Sequence, residues 1–326
     1  MGRLVIFVTG GSGFIGRQVV ESLLRRGENV ANFDVRPPRS ASQQPHWVEG
    51  DICDLSGLRK ALDEVRPTAV IHLAAYADVT SEDWNTFSSI WLGTRTLVDA
   101  MESCPSIERF INTSTQLVVR PGSLAEPFSE FDPYTQYGAA KAFVEREINQ
   151  RDPDFTWCHV RPTNIWGPYH PSYGNSIWRY LNRGVYFHPD VPHPVPRTYG
   201  YVENCADQFV ALLDQPTDAI HRKVFYSGDA TVDWIEWLDA FSIALRRKHV
   251  QRLPYGILRA GAAIGDFALR CGIRLPLESE RLMRMSTGYA CPIEPLVKLA
   301  GPPRVEFQEG VDRTVAWLQT EYPNRF

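Results

Sequence analysis

The sequence has no apolar run long and uncharged enough to span a bilayer. Its longest apolar stretch near the C-terminus, Ile257 to Ile273, is interrupted by Arg259, Asp266 and Arg270. Those charges argue against a membrane span and for an amphipathic surface or lid helix. Cysteine is sparse. The six residues Cys53, Cys104, Cys158, Cys205, Cys271 and Cys291 are scattered without a close pair, the pattern of reduced, mostly buried thiols in a cytosolic protein. There is no strong charge excess of either sign. A net charge of -4 with mixed signs along the chain gives no reason to expect nucleic acid or an anionic membrane as a partner. Internal repeats and low-complexity tracts are absent. The N-terminus runs straight into a strand, so no signal peptide is expected. What is present is an ordinary globular composition, 44% hydrophobic and 22% charged over 326 residues. That length suits one large or two modest domains.

The most informative stretch is Thr9-Gly10-Gly11-Ser12-Gly13-Phe14-Ile15-Gly16. The apolar run Leu4 to Val8 before it is short and ends in glycine, which predicts a buried parallel strand. Behind it Phe14, Ile15, Val19, Val20, Leu23 and Leu24 recur at helical spacing and stop at Gly27. Strand, glycine turn and helix in that order build an anion site. Gly10 permits the tight turn, Gly13 lets a pyrophosphate approach the backbone, and Gly16 lets the helix pack close to the sheet. A second strand, Asn29 to Phe33, ends at Asp34. A carboxylate there can accept from the adenosine ribose hydroxyls and repels a ribose 2'-phosphate, which favours NAD over NADP. Arg36 and Arg39 stand close enough in sequence to hold a phosphate instead.

Strand and helix patterns keep alternating. His46 to Gly50 predicts a third strand ending at Asp51-Ile52, where Asp51 would accept from an adenine amino group and Ile52 would pack on the ring. The competing role for Asp51 is a cap for the helix from Leu55 to Val65. Ala69 to Ala75 predicts a fourth strand, and the small residues around Leu73, Ala74 and Ala75 leave room for a dinucleotide. His72 within it is expected to be a packed strand residue. Glu82 to Met101 reads as one long helix with a wide apolar surface of Trp84, Phe87, Trp91, Leu92, Thr94 and Val98, serving the core and an oligomer contact. Arg109 to Thr115 predicts a fifth strand tipped by hydroxyls, Thr113, Ser114 and Thr115. Ligands bind at such strand ends; turn capping is the plainer role.

Tyr137 and Lys141 stand four apart in a helical pattern from Tyr134 to Gln150, so they share one helix face. A nearby ammonium favours phenolate and would bring the tyrosine toward the working pH. That makes a general acid/base suited to a carbinol or carbonyl.

With these residues in place, the chain resembles the extended short-chain dehydrogenase/reductase family, in its nucleotide-sugar epimerase, dehydratase and reductase branch. The likeness covers nearly the whole chain. It rests on the glycine stretch, Asp34, Gly50-Asp51, His72 to Ala75, the Thr-Ser-Thr tip, and Tyr137 with Lys141 and Glu145. It continues through Arg161-Pro162-Thr163-Asn164-Ile165-Trp166-Gly167-Pro168, Arg197 to Asn204, and a closing helix from Glu309-Gly310-Val311 to Trp317-Leu318. The resemblance implies a Rossmann-type doubly wound parallel α/β sheet with a smaller, mainly helical C-terminal substrate lobe. The expected division is a dinucleotide-binding domain over 1–165, to which 198–227 return, and a substrate lobe over 166–197 and 228–326. The cleft is expected between the lobe and the strand ends.

It also implies roles. Tyr137 would be the acid/base, Lys141 would bind the nicotinamide ribose and tune Tyr137, and Thr115 would hydrogen-bond the reacting oxygen. The cofactor would lie on Gly10, Gly13, Phe14, Ile15, Gly16, Asp34, Asp51, Ile52, Leu73, Ala74, Ala75, Thr113, Tyr137 and Lys141. Ser114, Thr115, Asn164 and Arg197 would meet the substrate, Arg197 at its phosphates, where its fork matches phosphate oxygens. No metal is expected; His188 and His193 are read as loop residues without further ligands.

The departures narrow the chemistry. Gln116 and Leu117 replace the acid pair that follows the catalytic Thr in the family's dehydratases, so 4,6-dehydration is not expected. Ile90 precedes Gly93-Thr94 where the family often carries Asn. Beyond Gly167 the alternation weakens. Pro171 to Gly174 and His188 to Pro194 read as long recognition loops, Asn175 to Arg183 as an aromatic helix, and Glu203 to Leu213 as a helix. The expected function is NAD(P)-dependent hydride transfer on a nucleotide-activated sugar, by a C4 epimerase or a 4-keto-sugar reductase. The alternatives are a 3-beta-hydroxysteroid-dehydrogenase-like oxidoreductase of an apolar alcohol and a non-catalytic NAD-binding regulator. A cytoplasmic homodimer, paired through segments 82–101 and 134–150, completes the expectation.

Overall fold

Short apolar runs that end in glycine, an acid or a hydroxyl residue become the strands of a parallel sheet. The structure, a computed structural model, describes residues 4–122, 131–173, 177–273 and 275–326. Its strands are β1 Val5–Thr9, β2 Asn29–Asp34, β3 Trp47–Glu49, β4 Ala69–His72, β5 Arg109–Thr113, β6 Thr156–Pro162, β7 Asn164–Trp166, β8 Phe187–Asp190, β9 Pro196–Tyr201, β10 Lys223–Ser227, β11 Ala230–Asp233 and β12 Gln251–Pro254. The helices are α1 Phe14–Arg25, α2 Leu55–Val65, α3 Ser88–Met101, α4 Gln136–Arg151, α5 Ile177–Arg183, α6 Val202–Ala211, α7 Thr217–Ile220, α8 Trp234–Arg246, α9 Tyr255–Arg270, α10 Ser279–Met285, α11 Glu294–Ala300 and α12 Phe307–Glu321.

Seven strands form one sheet in the order β10-β6-β5-β4-β1-β2-β3, and every neighbouring pair is parallel. The chain order reverses between β1 and β4, which is where such sheets open a crevice at their carboxyl ends. Alternate residues of each strand serve opposite faces. Phe7, Val70, Phe110 and Trp157 enter one core with Leu58, Leu97 and Val144. Ile6, Val8, Ile71, Ile111 and Val160 enter the other with Val19, Leu23 and Phe209. The fold is the doubly wound α/β sheet expected, with a helical C-terminal region.

The chain divides into two units. One holds Met1–Ile165, Gly200–Asp229 and Pro292–Arg304; the other holds Trp166–Tyr199, Ala230–Cys291 and Val305–Phe326. Pro292–Arg304 therefore groups with the sheet rather than with the 228–326 lobe anticipated from sequence. The reason is α11, whose Leu296 is fully buried in the core that β10 and α6 also line.

Three elements differ from the sequence reading. The expected helix over Glu82–Met101 is broken: the Asp83 carboxylate accepts from the Asn85 amide, a 3-10 turn occupies Trp84–Phe87, and α3 begins at Ser88. Thr135 caps α4 by accepting from the Gly138 amide at 3.0 Å, so that helix starts at Gln136 and not at Tyr134. His188 to Pro194 is not all loop, because β8 pairs in parallel with β12. Proline can sit on such a short edge strand where no ladder donor is needed. Of the aromatic helix read over Asn175–Arg183, Ile177–Arg183 is helical; Asn175 lies outside the described residues.

In the second unit β9 and β11 pair antiparallel. Its core is aromatic, with Tyr199 stacked on Trp237 at 4.6 Å and Trp178 against Phe241 at 4.1 Å.

Two histidines lie inside the sheet. His72 is fully buried between the Thr9 and Thr94 hydroxyls, at 2.7 and 2.8 Å. His159 is fully buried between Asn112 and Asn149. Burial, reinforced by Lys141, lowers His72 to about 3. Burial lowers His159 to about 4, against the pull of Glu145. Both stay neutral in the folded chain while an unfolded histidine takes up a proton near its usual value of about 6.5. The unfolded state then binds more protons, so stability falls as pH drops from that value toward 4. Urea melts at pH 7 and pH 5 should show the loss, and His159→Gln should flatten the slope. An unchanged slope in the variant would remove His159 from this account.

Candidate active site

The turn after β1 leaves no room for side chains at Gly10 and Gly16. Gly10 has φ +73, and a Cβ on it would stand 2.5 Å from the Ala74 nitrogen. A Cβ on Gly16 would stand 2.1 Å from the Gly10 carbonyl oxygen. Gly13 is the cap residue just before α1 and supplies no side-chain cap. Phe14 and Ile15, next in line, are half-buried. The turn is a tight backbone cradle at a helix N-terminus, the setting in which a pyrophosphate is bound, with the Gly13 amide held by the Gly10 carbonyl at 3.0 Å.

Asp34 ends β2 beside that cradle and is buried. Its carboxylate accepts from the Ser12 and Arg36 amides, both at 3.0 Å. The Arg36 and Arg39 side chains are exposed. Asp51 is exposed and accepts from the Cys53 amide at 2.9 Å. The helix cap for α2 is Asp54, which accepts from Ser56, so Asp51 does not fill that alternative role. Ile52 is 6% exposed and meets Gly93 so closely that a Cβ there would stand 2.6 Å away; most of its surface belongs to the core. Leu73, Ala74 and Ala75 follow β4 and are half-buried, with the Leu73 amide held by the Thr9 carbonyl at 2.9 Å.

Tyr137, Lys141 and Thr115 are brought together at the end of β5. The Gly138 position lets α4 ride against the turn that follows Thr115: a Cβ on it would stand 2.3 Å from the Leu117 carbonyl oxygen. Thr115 caps that turn by accepting from the Leu117 amide at 3.3 Å, and its hydroxyl also hydrogen-bonds Tyr137. Capping and site placement are thus one arrangement. The Tyr137 ring lies 6.0 Å from Phe87. Lys141 is buried and donates to the Thr113 carbonyl at 2.7 Å. The Thr113 hydroxyl is buried without a hydrogen-bond partner, and Ser114 lies against the Glu145 carboxyl.

Burial pushes the Tyr137 phenol up to about 12, with the Thr115 hydrogen bond pulling the other way. Burial lowers the Lys141 ammonium to about 8, and the Glu145 charge opposes that. The expectation that Lys141 draws Tyr137 toward neutrality is not met in this structure. The ammonium is aimed at the Thr113 carbonyl, and desolvation dominates the phenol.

A family model described as the NAD dependent epimerase/dehydratase family matches residues 6–228. The chain belongs to that family. Among curated relatives, the 3-beta-hydroxysteroid dehydrogenase of Mycolicibacterium neoaurum is 34% identical over 175 residues, 50% of this chain and 48% of that one. The decarboxylating sterol-4-alpha-carboxylate 3-dehydrogenase of Mus musculus is 30% identical over 172 residues, 50% of this chain and 46% of that one. The chain thus spans about half the length of these relatives. The UDP-glucose 4-epimerase of Thermus thermophilus, solved in complex with NAD, superposes with a TM-score of 0.69 at 24% identity, over 96% of this chain and 98% of that one. This last likeness shows the fold.

The remaining epimerase/dehydratase positions are placed less simply. Asn164 opens β7, and its side-chain oxygen accepts from the Gln116 amide at 3.3 Å. Gln116 is 4% exposed. Sequence reasoning dismissed it as neither acid nor base and missed its pairing with Asn164. Gly138 and Thr135 were missed too, although a Thr before a helical pattern is a cap signal. Arg197 belongs to the second unit. Its guanidinium lies 3.6 Å over the Trp234 ring and donates to the Arg284 carbonyl, with Thr287 O at 3.5 Å.

Proposed function

We propose that this chain is a nicotinamide-dinucleotide oxidoreductase acting at C4 of a nucleotide-activated sugar, as a C4 epimerase or a 4-keto-sugar reductase. The observation that carries the reading is the Tyr137, Thr115 and Lys141 cluster set in a polar floor. That floor holds the unpartnered Thr113 hydroxyl and the Gln116–Asn164 amides. A hydroxyl-rich sugar can hydrogen-bond these groups. An apolar ring would leave the Thr113 hydroxyl desolvated without a partner, at a cost of about 1–3 kcal/mol.

The glycine cradle and Asp34 fit a dinucleotide, because Gly10 and Gly16 keep side chains out of the close backbone approach and Asp34 offers a buried acceptor. Asp34 favours NAD over NADP by charge. Phe14, Ile15, Leu73, Ala74, Ala75, Asp51 and Ile52 border the same strand ends. When bound, the nicotinamide ring supplies or accepts the hydride at the sugar carbon. Tyr137 then handles the proton. Held near 12, its phenol is stored protonated, the form that donates to a ketone oxygen. Thr115 fixes the phenol and shares the reacting oxygen. Lys141, charged below about 8, would bind the nicotinamide ribose. Ser114 and Asn164 orient the sugar hydroxyls.

A second reading, a hydroxysteroid-like alcohol, is favoured by the names of the curated relatives and by Arg197, whose guanidinium is already committed to backbone carbonyls. Arg197→Ala separates the two. If Arg197 turns to hold phosphates, the variant should lose about tenfold or more in affinity for nucleoside diphosphates by calorimetry. No change would take Arg197 out of the substrate site. Mass spectrometry of small molecules released on denaturation tests the function itself. Retained NAD with a nucleotide sugar supports the epimerase. A chain that turns over sterols and ignores nucleotide sugars overturns the proposal.

A further inference from the structure

We propose that α9 is an interfacial helix that seats the second unit on an anionic lipid surface. The inference stands on this unit alone and does not depend on which alcohol the site takes.

Helix α9 has three faces. Leu258, Ala262 and Gly265 are buried and turn toward Leu282, Leu253 and Leu277. Gly265 is packed so closely that a Cβ there would stand 1.9 Å from the Leu277 carbonyl oxygen. Arg259, Asp266 and Arg270 share a second face. On the third face, Ile257, Ile264 and Phe267 are 59%, 64% and 67% exposed, with Ala260 and Gly261 exposed among them. At about 100° per residue they span roughly 120° of arc with no charged side chain. Ile273 and Leu275 just after the helix, and Met283 on α10, are also 59%, 39% and 58% exposed. Scattered exposed apolar residues are ordinary; a continuous apolar arc on one helix calls for a partner.

Charge identifies the partner. Between Arg246 and Arg284 the sequence holds nine Lys or Arg and three Asp or Glu, a net +6 in a chain whose total is -4. Arg246, Arg247 and Lys248 precede the helix, Arg259 and Arg270 lie with Asp266 on the face along one side of its apolar arc, and Arg281 and Arg284 follow on α10. An apolar helix face bordered by arginines matches acyl chains beneath negatively charged headgroups. A second copy of the chain would bring the same positive charge against itself. No helix among the described residues is long and apolar enough to cross a membrane, so the contact is peripheral. The sequence-wide charge balance, which argued against a membrane, averages this concentration away.

The test is flotation of the full chain with vesicles of phosphatidylcholine alone and of phosphatidylcholine with phosphatidylglycerol. The chain should float with the anionic vesicles and stay behind with the neutral ones, and salt near 0.5 M should release most of it. Ile264→Asp with Phe267→Asp should cut the floating fraction about tenfold or more. Arg259→Glu with Arg270→Glu, which leaves the buried face intact, should weaken anionic binding as well. Light scattering of the free protein supplies the other arm. No flotation, equal flotation with both vesicles, or a dimer that the Asp variant splits without any lipid binding would each overturn the proposal.

Discussion

Tyr137→Phe should lower kcat by about 10²–10⁴-fold while leaving dinucleotide affinity and thermal stability near their starting values. The substitution removes one oxygen. The ring keeps its place 6.0 Å from Phe87, and α4 keeps its cap at Thr135. What is lost is the proton that must reach, or leave, the reacting oxygen when its carbon changes oxidation state. Thr115→Val should lower kcat less and move its pH dependence. The Thr115 hydrogen bond pulls the phenol down against burial, so without it the phenol rises further and the phenolate-dependent limb shifts to higher pH. Stopped-flow turnover across pH, with dinucleotide binding followed by fluorescence, checks both. Full turnover in Tyr137→Phe would sink the assigned role and the proposed reaction with it.

The parts of this site that could be read from sequence are those set by local backbone demands. Gly10 and Gly16 announce themselves because the turn excludes any side chain, and Asp34 because it closes the next strand. Tyr137 and Lys141 are legible because four residues make about one helical turn. The parts that could not be read depend on residues distant in the chain. Gly138 matters through the Leu117 carbonyl, and Gln116 through Asn164, neither of which is a local pattern. β8 was hidden by Pro189 and the prolines that follow it, since its pairing is decided by β12 more than sixty residues later. Residues 292–304 looked like lobe because their ties to the sheet unit, Leu296 and Leu299 in its core and Arg304 on Asp207 and Glu203, are all to residues distant in the chain. The phenol's height above neutrality was also out of reach: a Tyr–Lys spacing implies proximity but says nothing of how much water burial removes.

Glu145→Leu should destabilise the fold by about 3–5 kcal/mol, the cost of leaving a buried charge without its partner. Arg161 reaches Glu145 with two hydrogen bonds, at 2.9 and 2.7 Å, and Tyr226 with a third, at 3.0 Å. Both charged side chains are essentially inaccessible to solvent, at 1% and 0%. Burial pushes the Glu145 carboxyl up, but Arg161, His159 and Ser114 outweigh it and hold it below the usual range. The pair therefore contributes stability above the ordinary carboxylate value and loses it as pH falls through the lowered folded one. Glu145→Leu with Arg161→Met removes both charges and should recover most of the loss in urea melts; a double variant as unstable as the single would show that the pair is not the source. The same carboxylate also serves the site. Glu145 lies one helical turn beyond Lys141 and holds its ammonium up against burial. Glu145→Gln keeps the shape and removes that charge. Lys141 should then lose its proton at a lower pH than the present value of about 8, and the alkaline limit of kcat should move down with it. A variant that melts earlier but keeps its pH profile would confine Glu145 to the core.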